Sequence, residues 1–260
     1  MPTLVDQAIV IRVAEFSETS QTATLFLRDH GLIRGLAKGS RREKSRFSGG
    51  IEALTRGEIV AITKATTDLA TLTEWDLQEV YWAVRRDLTA HRAGLYMADI
   101  LQHAITDHDP HAALFDTMDS ALRSLAQPGG HARAVLGFQW ALLSETGYRP
   151  RLDADARAGA PLATATTYGF DAQAGGLVAD PGNARPRPSP GNTPGPTRSA
   201  SLWRVRSDTV EVLRRLEAGS PPDQLGSPET IDRAGRLLAA YLTQIMGRDL
   251  GTREALFGSL

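Results

Sequence analysis

Residues 17–47 read SETSQTATLFLRDHGLIRGLAKGSRREKSRF, and this stretch decides the fold of the first third of the chain. The polar residues 17–20 predict a turn. Residues 21–28, rich in Thr, Leu and Phe, predict a strand, because branched and aromatic side chains fill a pleated surface well. Asp29-His30-Gly31 predicts a hairpin turn in which Gly31 can take positive φ. Residues 32–37 then return as a further strand. Residues 39–50 are charged, have glycine at both ends and predict a mobile loop. From Arg34 to Arg46 the chain carries Arg34, Lys38, Arg41, Arg42, Lys44 and Arg46 against one acid, Glu43.

Upstream, residues 7–13 alternate in polarity, with Ile9, Ile11 and Val13 on one face, the period-2 pattern of a half-buried strand. Downstream, residues 59–64 and 71–79 supply two more strands. Five short strands with a long loop after the third fit an OB-type barrel over residues 1–80, and count and spacing alone fit an SH3-like barrel equally. From Tyr81 the period changes to that of helix. Ala93, Tyr96, Met97, Ile100, Leu101, Ala104 and Ile105 recur at three- and four-residue steps. Asp109-Pro110 predicts an N-cap and first helical position for the next helix, which carries Leu114, Phe115, Met118, Leu122 and Leu125. Another helix follows over about 132–146, with Gly147 as its C-cap. Helical pattern resumes at Ser207, and a final helix starts near Pro228. The expected class is α+β: a five-stranded barrel at 1–80, an all-helical domain from 81–147 and 201–260, and an irregular insertion at 148–200. Within that insertion, residues 183–200 are dense in Pro, Gly and Ser and predict a linker or long surface loop.

A net charge of −1 argues against a uniformly basic nucleic-acid binder, so any such surface must be local. The rest of residues 1–80 is dominated by acids, which leaves the loop as the positive spot. Six cations in thirteen residues suit phosphate, because several together displace counterions and arginine matches phosphate oxygens two at a time; the plainer reading is a solvated loop. Phe47 at the loop edge could stack on a base, whereas Phe26, in an apolar strand, belongs in a core. Arg85, Arg86 and Arg92, where strands give way to helices, either extend a phosphate path or pair with Asp87 and neighbouring acids.

A hydrophobic content of 42 % allows a real core, and the absence of cysteine excludes disulfides, thiolate nucleophiles and cysteine-ligated metal. It also fits a reducing cytoplasm. No signal peptide is expected from MPTLVDQAIVIR, and no apolar run reaches the roughly 18 residues of a membrane span. No G-x-x-x-x-G-K-[ST] or G-x-S-x-G motif occurs, so neither a Walker ATP site nor a serine-hydrolase elbow is expected. The group His103, Asp107, His108, Asp109 and His111 permits a metal-dependent nuclease, since helical spacing could join His103 and Asp107; the simpler reading is a helix end followed by the Asp109 cap.

Several short motifs occur in order: Glu18-Thr19-Ser20, Thr24-Leu25-Phe26, His30-Gly31, and Lys38-Gly39 through Ser45-Arg46-Phe47. Together they resemble the RecO family. TLTEWDLQE at 71–79 is similar to the family's last barrel strand, and HDPHAALFDTMDSAL and LLAAYLTQIMGRDLGTREAL are similar to its helical domain. The resemblance implies an OB barrel joined to helices, and a non-enzymatic, cytoplasmic and nucleoid-associated DNA repair and recombination protein of the damage (SOS) response, needing no cofactor. Such a protein binds single- and double-stranded DNA, anneals complementary strands and acts with RecR. It touches the C-terminal tail of single-strand DNA-binding protein and helps RecA indirectly. On that basis Arg34, Lys38, Arg41, Arg42, Lys44, Arg46, Phe47, Arg85, Arg86 and Arg92 are the candidate nucleic-acid contacts. The alternative is a single-strand-binding or adaptor module without annealing activity.

Many members of that family carry a four-cysteine zinc module, L-D-x-C-x-x-C-G followed by G-G-x-x-C-x-x-C. Here the frame stands at Leu152-Asp153 to Gly159 and Gly175-Gly176 to Gly182, with Asp155, Ala158, Ala179 and Gly182 where the cysteines would be. A metal-free, degenerate zinc-ribbon-like insertion is therefore expected. Leu152, Leu162, Tyr168, Phe170, Leu177 and Val178 are the apolar residues left to hold it, and a poorly packed hairpin is expected over 168–178.

Overall fold

A computed structural model describes residues 3–47, 50–64, 67–180 and 202–258. The expected linker at 183–200 lies outside these residues. Five strands, β1 (Thr3–Ser17), β2 (Ser20–Leu27), β3 (Gly31–Ala37), β4 (Thr55–Lys64) and β5 (Thr67–Val80), close into a barrel in the order β1-β2-β3-β5-β4. The pairings are antiparallel except β3 with β5, which is parallel, and β1 with β4 completes the ring. This closure is the OB-type alternative. Ala8, Val10, Leu25, Leu27, Ile33, Ile59, Leu72 and Trp75 fill the interior. The expected shared face of Ile9, Ile11 and Val13 is split: a register shift between Val10 and Arg12 turns the strand over, so Val13 joins the barrel core.

Helices α1 (Trp82–Arg86), α2 (Leu88–Ala104), α3 (Ala112–Ser124) and α4 (Gly130–Glu145) follow. Asp87 caps α2 by accepting from the Ala90 N–H at 2.6 Å. Strand β2 is buried along nearly its whole length because both faces are covered: its second face meets α3, where Phe26 packs on Phe115 with centroids 5.6 Å apart. The helix α3 begins at Ala112, later than Asp109-Pro110 predicts, because the preceding segment is drawn to the barrel. The His108 N–H donates to Leu32 O at 3.0 Å, and a Cβ at Gly31 would lie 2.2 Å from Asp109 O. Gly31, at φ +70°, is the residue that allows this approach.

A three-stranded sheet of order β7-β6-β8 follows, with β6 (Thr167–Asp171), β7 (Gly176–Val178) and β8 (Leu202–Arg206). It is joined by α5 (Ser207–Glu217) and α6 (Pro228–Met246), and the chain closes with α7 (Gly251–Phe257). Two compact units result, residues 1–146 with 249–260, and residues 147–248. The division differs from the expected single helical domain: α5 and α6 group with the sheet, because Tyr241 of α6 meets the ring of Phe170 edge-on at 5.2 Å. Helix α7 returns to the first unit, where Phe257 meets Tyr96 edge-on at 5.5 Å.

The hairpin at 168–178 exists, but it is not poorly packed. Phe170 and Leu177 are fully buried, and Trp203 of β8 stacks on Phe170 at 5.9 Å. The third strand, invisible to a local reading, completes the cover.

Candidate nucleic-acid interface

The basic loop leaves β3 at Lys38 and runs through consecutive turns over residues 39–47. The Arg42 N–H donates to Gly39 O at 3.1 Å, the Ser45 N–H to Arg42 O at 3.0 Å, and the Ser45 hydroxyl to Ser40 O at 2.8 Å. Both roots are held by Gln21 of β2, which is 4 % exposed. Its Oε1 accepts from the Ser40 hydroxyl at 2.9 Å and from the Ile51 N–H at 3.1 Å, while its Nε2 donates to Ile51 O at 3.0 Å. The Trp75 N–H then ties Arg46 O to β5 at 2.9 Å, and the Arg41 N–H ties the loop to Thr19 O at 3.1 Å. Buried polar groups must be paired, so this network fixes where the loop stands.

On that platform Lys38, Arg41, Arg42, Lys44 and Arg46 are all exposed. Lys38, Arg42 and Lys44 make no ion pair among the described residues. Arg41 meets Glu15 at 2.8 Å, and Arg46 lies 4.0 Å from Glu74. Exposed pairs of this kind contribute only about 0–1 kcal/mol, so phosphate can replace them. Phe47 departs from expectation. At 4 % exposure its ring is part of the barrel core, where it cannot stack on a base; it is the apolar plug that seats the loop.

The remaining cations are spread. Arg34 is mid-strand in β3, pairs with Asp107 at 3.1 Å and borders a groove that also holds Arg12. Arg85 reaches the loop's far root, donating to Ala53 O at 2.8 Å and pairing with Glu52 at 3.0 Å. Arg86 lies over the ring of Trp82 at 5.2 Å, and Arg92 is exposed on α2. Sequence reasoning passes over Gln21, Arg12 and the exposed rings of Phe16 and Trp82. Gln21 sits inside an ordinary strand pattern, and Trp82 in a break between strand and helix, so neither carries a periodic signal.

The group from His103 to His111 is parcelled out: His103 lies 3.2 Å from Asp99, Asp107 goes to Arg34, and His111 lies 3.3 Å from Asp109 and 3.5 Å from Glu145. Among the described residues no three His, Asp or Glu gather as a metal ion would require. The degenerate zinc frame does not fit a metal either. Asp155, the one residue of the four with a ligand atom, is engaged by backbone. Its Oδ1 accepts from the Arg157 and Ala158 N–H groups at 2.9 Å each, and its Oδ2 from the Ala179 N–H at 3.0 Å. Ala158 and Ala179 are two of the other cysteine positions; Gly182, the fourth, lies outside the described residues. One carboxylate thus joins the two halves of the frame, and the N–H bond from Ala158, followed by that from Ala179, holds Asp155 below the usual carboxylate range. The retained Gly175-Gly176 has its own reason: a Cβ at Gly176 would lie 2.4 Å from Arg151 O.

With this geometry in hand, the comparisons with known proteins agree along the chain. The family model described as recombination protein O N terminal matches residues 1–81, and that described as recombination protein O C terminal matches residues 85–254. DNA repair protein RecO of Rhodopirellula baltica is 32 % identical over 254 residues, covering 94 % of this chain and 89 % of that protein. The proteins of the same name from Anaeromyxobacter dehalogenans and Myxococcus xanthus are 29 % and 28 % identical, each match covering 93 % of the relative and 95 % and 94 % of this chain. Among the described residues no helix is long and apolar enough to cross a membrane. An OB-type barrel with a pinned basic loop, a helical layer on its outer face, and matches to both family models place the chain in the RecO family of DNA repair and recombination proteins.

Proposed function

We propose that the protein is a non-enzymatic recombination mediator that binds single- and double-stranded DNA and pairs complementary strands. The observation that supports this most is the pinned loop, on which Lys38, Arg41, Arg42, Lys44 and Arg46 stand exposed above an otherwise acidic barrel. Two DNA strands repel each other through their phosphates. A surface that neutralises both lowers that repulsion and lets bases meet. Arg85 and Arg86 extend the positive surface at the loop's far root. Family membership supports action with RecR, with the C-terminal tail of single-strand DNA-binding protein and, through them, with RecA.

The test is DNA binding and annealing at two salt concentrations without ATP. Replacing Arg41, Arg42, Lys44 and Arg46 together by Ala should weaken binding and slow annealing. It should also flatten the log–log salt dependence by roughly 0.7–0.9 for each phosphate no longer neutralised. Unchanged affinity and slope would refute the assignment of the loop. Binding without any acceleration of annealing would favour a plain single-strand-binding module.

A further inference from the structure

Trp82 is 60 % exposed, at the step where β5 hands over to α1. One side of its indole carries the Arg86 guanidinium. The ring also borders a groove of about 460 Å³, whose apolar wall is Trp75, Leu77 and Val80 and whose rim includes Gly50 and Arg85. Leu77 is itself 40 % exposed, so the wall presents apolar surface that the fold leaves uncovered. Phe16 is equally exposed, but among the described residues no guanidinium lies over its ring, and its chain neighbours include Glu15 and Glu18.

The groove adjoins the basic loop. Gly50 ends the loop and forms the groove's edge, and a Cβ there would lie 3.9 Å from the Arg41 side-chain stem. At the other side, Arg46 O is bonded to the N–H of Trp75, a groove residue. Two acids belong to this surface: Glu52, which lines the groove and is paired with Arg85, and Glu74, near Arg46. A strand whose phosphates rest on Arg41 to Arg46 therefore passes within reach of the groove.

We propose that the groove takes an unpaired nucleobase of single-stranded DNA, stacked on the indole of Trp82. This rests on the DNA-binding reading above and adds to it a site that distinguishes single strands from duplex. An indole and a base are both flat and apolar on their faces, and their stacking tolerates any sequence. The Arg86 guanidinium fixes the ring and adds a cation–π contact. A paired base would first have to leave its stack, which costs free energy, so duplex gains nothing from the groove.

The full-length chain has four tryptophans; Trp75 and Trp140 are buried and Trp203 is half-buried against Phe170, so Trp82 dominates the solvent-accessible emission. Titration with oligothymidylate should quench that emission, whereas a blunt duplex of equal length should not. Trp82→Ala should remove the quench and lower oligothymidylate affinity about 5- to 160-fold, the range for one base stack removed. The salt slope and the duplex affinity should stay as they were, because every cation that meets a phosphate is still in place. Trp82→Phe should keep most of the affinity. Wild-type affinity of Trp82→Ala for oligothymidylate would overturn the proposal, as would quenching by an acidic peptide but not by the oligonucleotide. If the quadruple loop variant loses binding while Trp82→Ala does not, the groove assignment fails and the loop reading stands. If neither variant loses binding, both fail.

Discussion

The basic loop of the barrel and the cysteine-free module at 151–180 both contain irregular chain, and each is tied by one side chain of opposite character. Gln21 is neutral and buried. It meets its partners inside the protein, where hydrogen bonds are little weakened by water or salt. Asp155 is charged and stands at the surface of its module, and its bonds to three N–H groups are charge-assisted. The first tie should hold at any pH at which the barrel is folded. The second depends on the carboxylate staying ionised. A segment that carries five exposed cations is thus held by a group that adds no charge of its own, while the module can use a formal charge.

The largest expected effect comes from removing the apolar support that the Asp155 tie complements. Phe170→Ala takes a fully buried ring from between Trp203 and Tyr241 and should cost roughly 3–5 kcal/mol. Hydrogen exchange should show weakened amide protection in β6 and β7 with β1–β5 unaffected. Equal weakening in the barrel would break the comparison, since the two regions would then share one fate. Next in size is Gln21→Ala, which leaves the Ile51 N–H and C=O and the Ser40 hydroxyl without their partner at about 1–3 kcal/mol. DNA affinity should fall although no cation is removed, and the melting shift should be the same in mild acid and at neutral pH. A pH-dependent shift would contradict the neutral tie.

Asp155→Asn should have the smallest effect, and its pH dependence is the informative part. Asp155 is held below the ordinary carboxylate range by N–H bonds. In Asp171 burial pushes upward, but the N–H of Ala174, the Arg157 side chain and the N–H of Gln173 outweigh it, and the net shift is also downward. A group whose folded pKa is depressed stabilises the fold above its unfolded pKa, and that stability is lost as pH falls through the folded value. Asn cannot accept with both atoms, so the variant should melt earlier at neutral pH and converge with the parent in acid. A constant gap across the whole range would show that Asp155 acts through shape rather than charge.

The barrel is legible in the sequence because its signals are local: alternation in the strands, an Asp-His-Gly turn, and a glycine-bounded loop. Its closure is not, because the parallel β3–β5 pairing joins residues more than thirty apart, such as Arg34 and Leu69. The start of α3 is misplaced by a local reading because Asp109-Pro110 is a sound cap signal that the approach to Gly31 overrules. Phe47 reads as loop from its polar neighbours, while its environment is set by Trp75 and the other interior residues across the barrel. The cations of the loop are visible in the sequence; the side chain that aims them is not. For the module at 151–180, the sequence tells which cysteines are missing but not that the aspartate at one of their positions bonds to the backbone of two others.

That aspartate changes what can damage the protein. Cysteine thiolates that hold zinc are also targets of peroxide, and their oxidation forfeits the metal and the local fold together. A carboxylate bonded to backbone N–H groups has no such oxidation chemistry. The chain has no cysteine, so neither loss is open to this module.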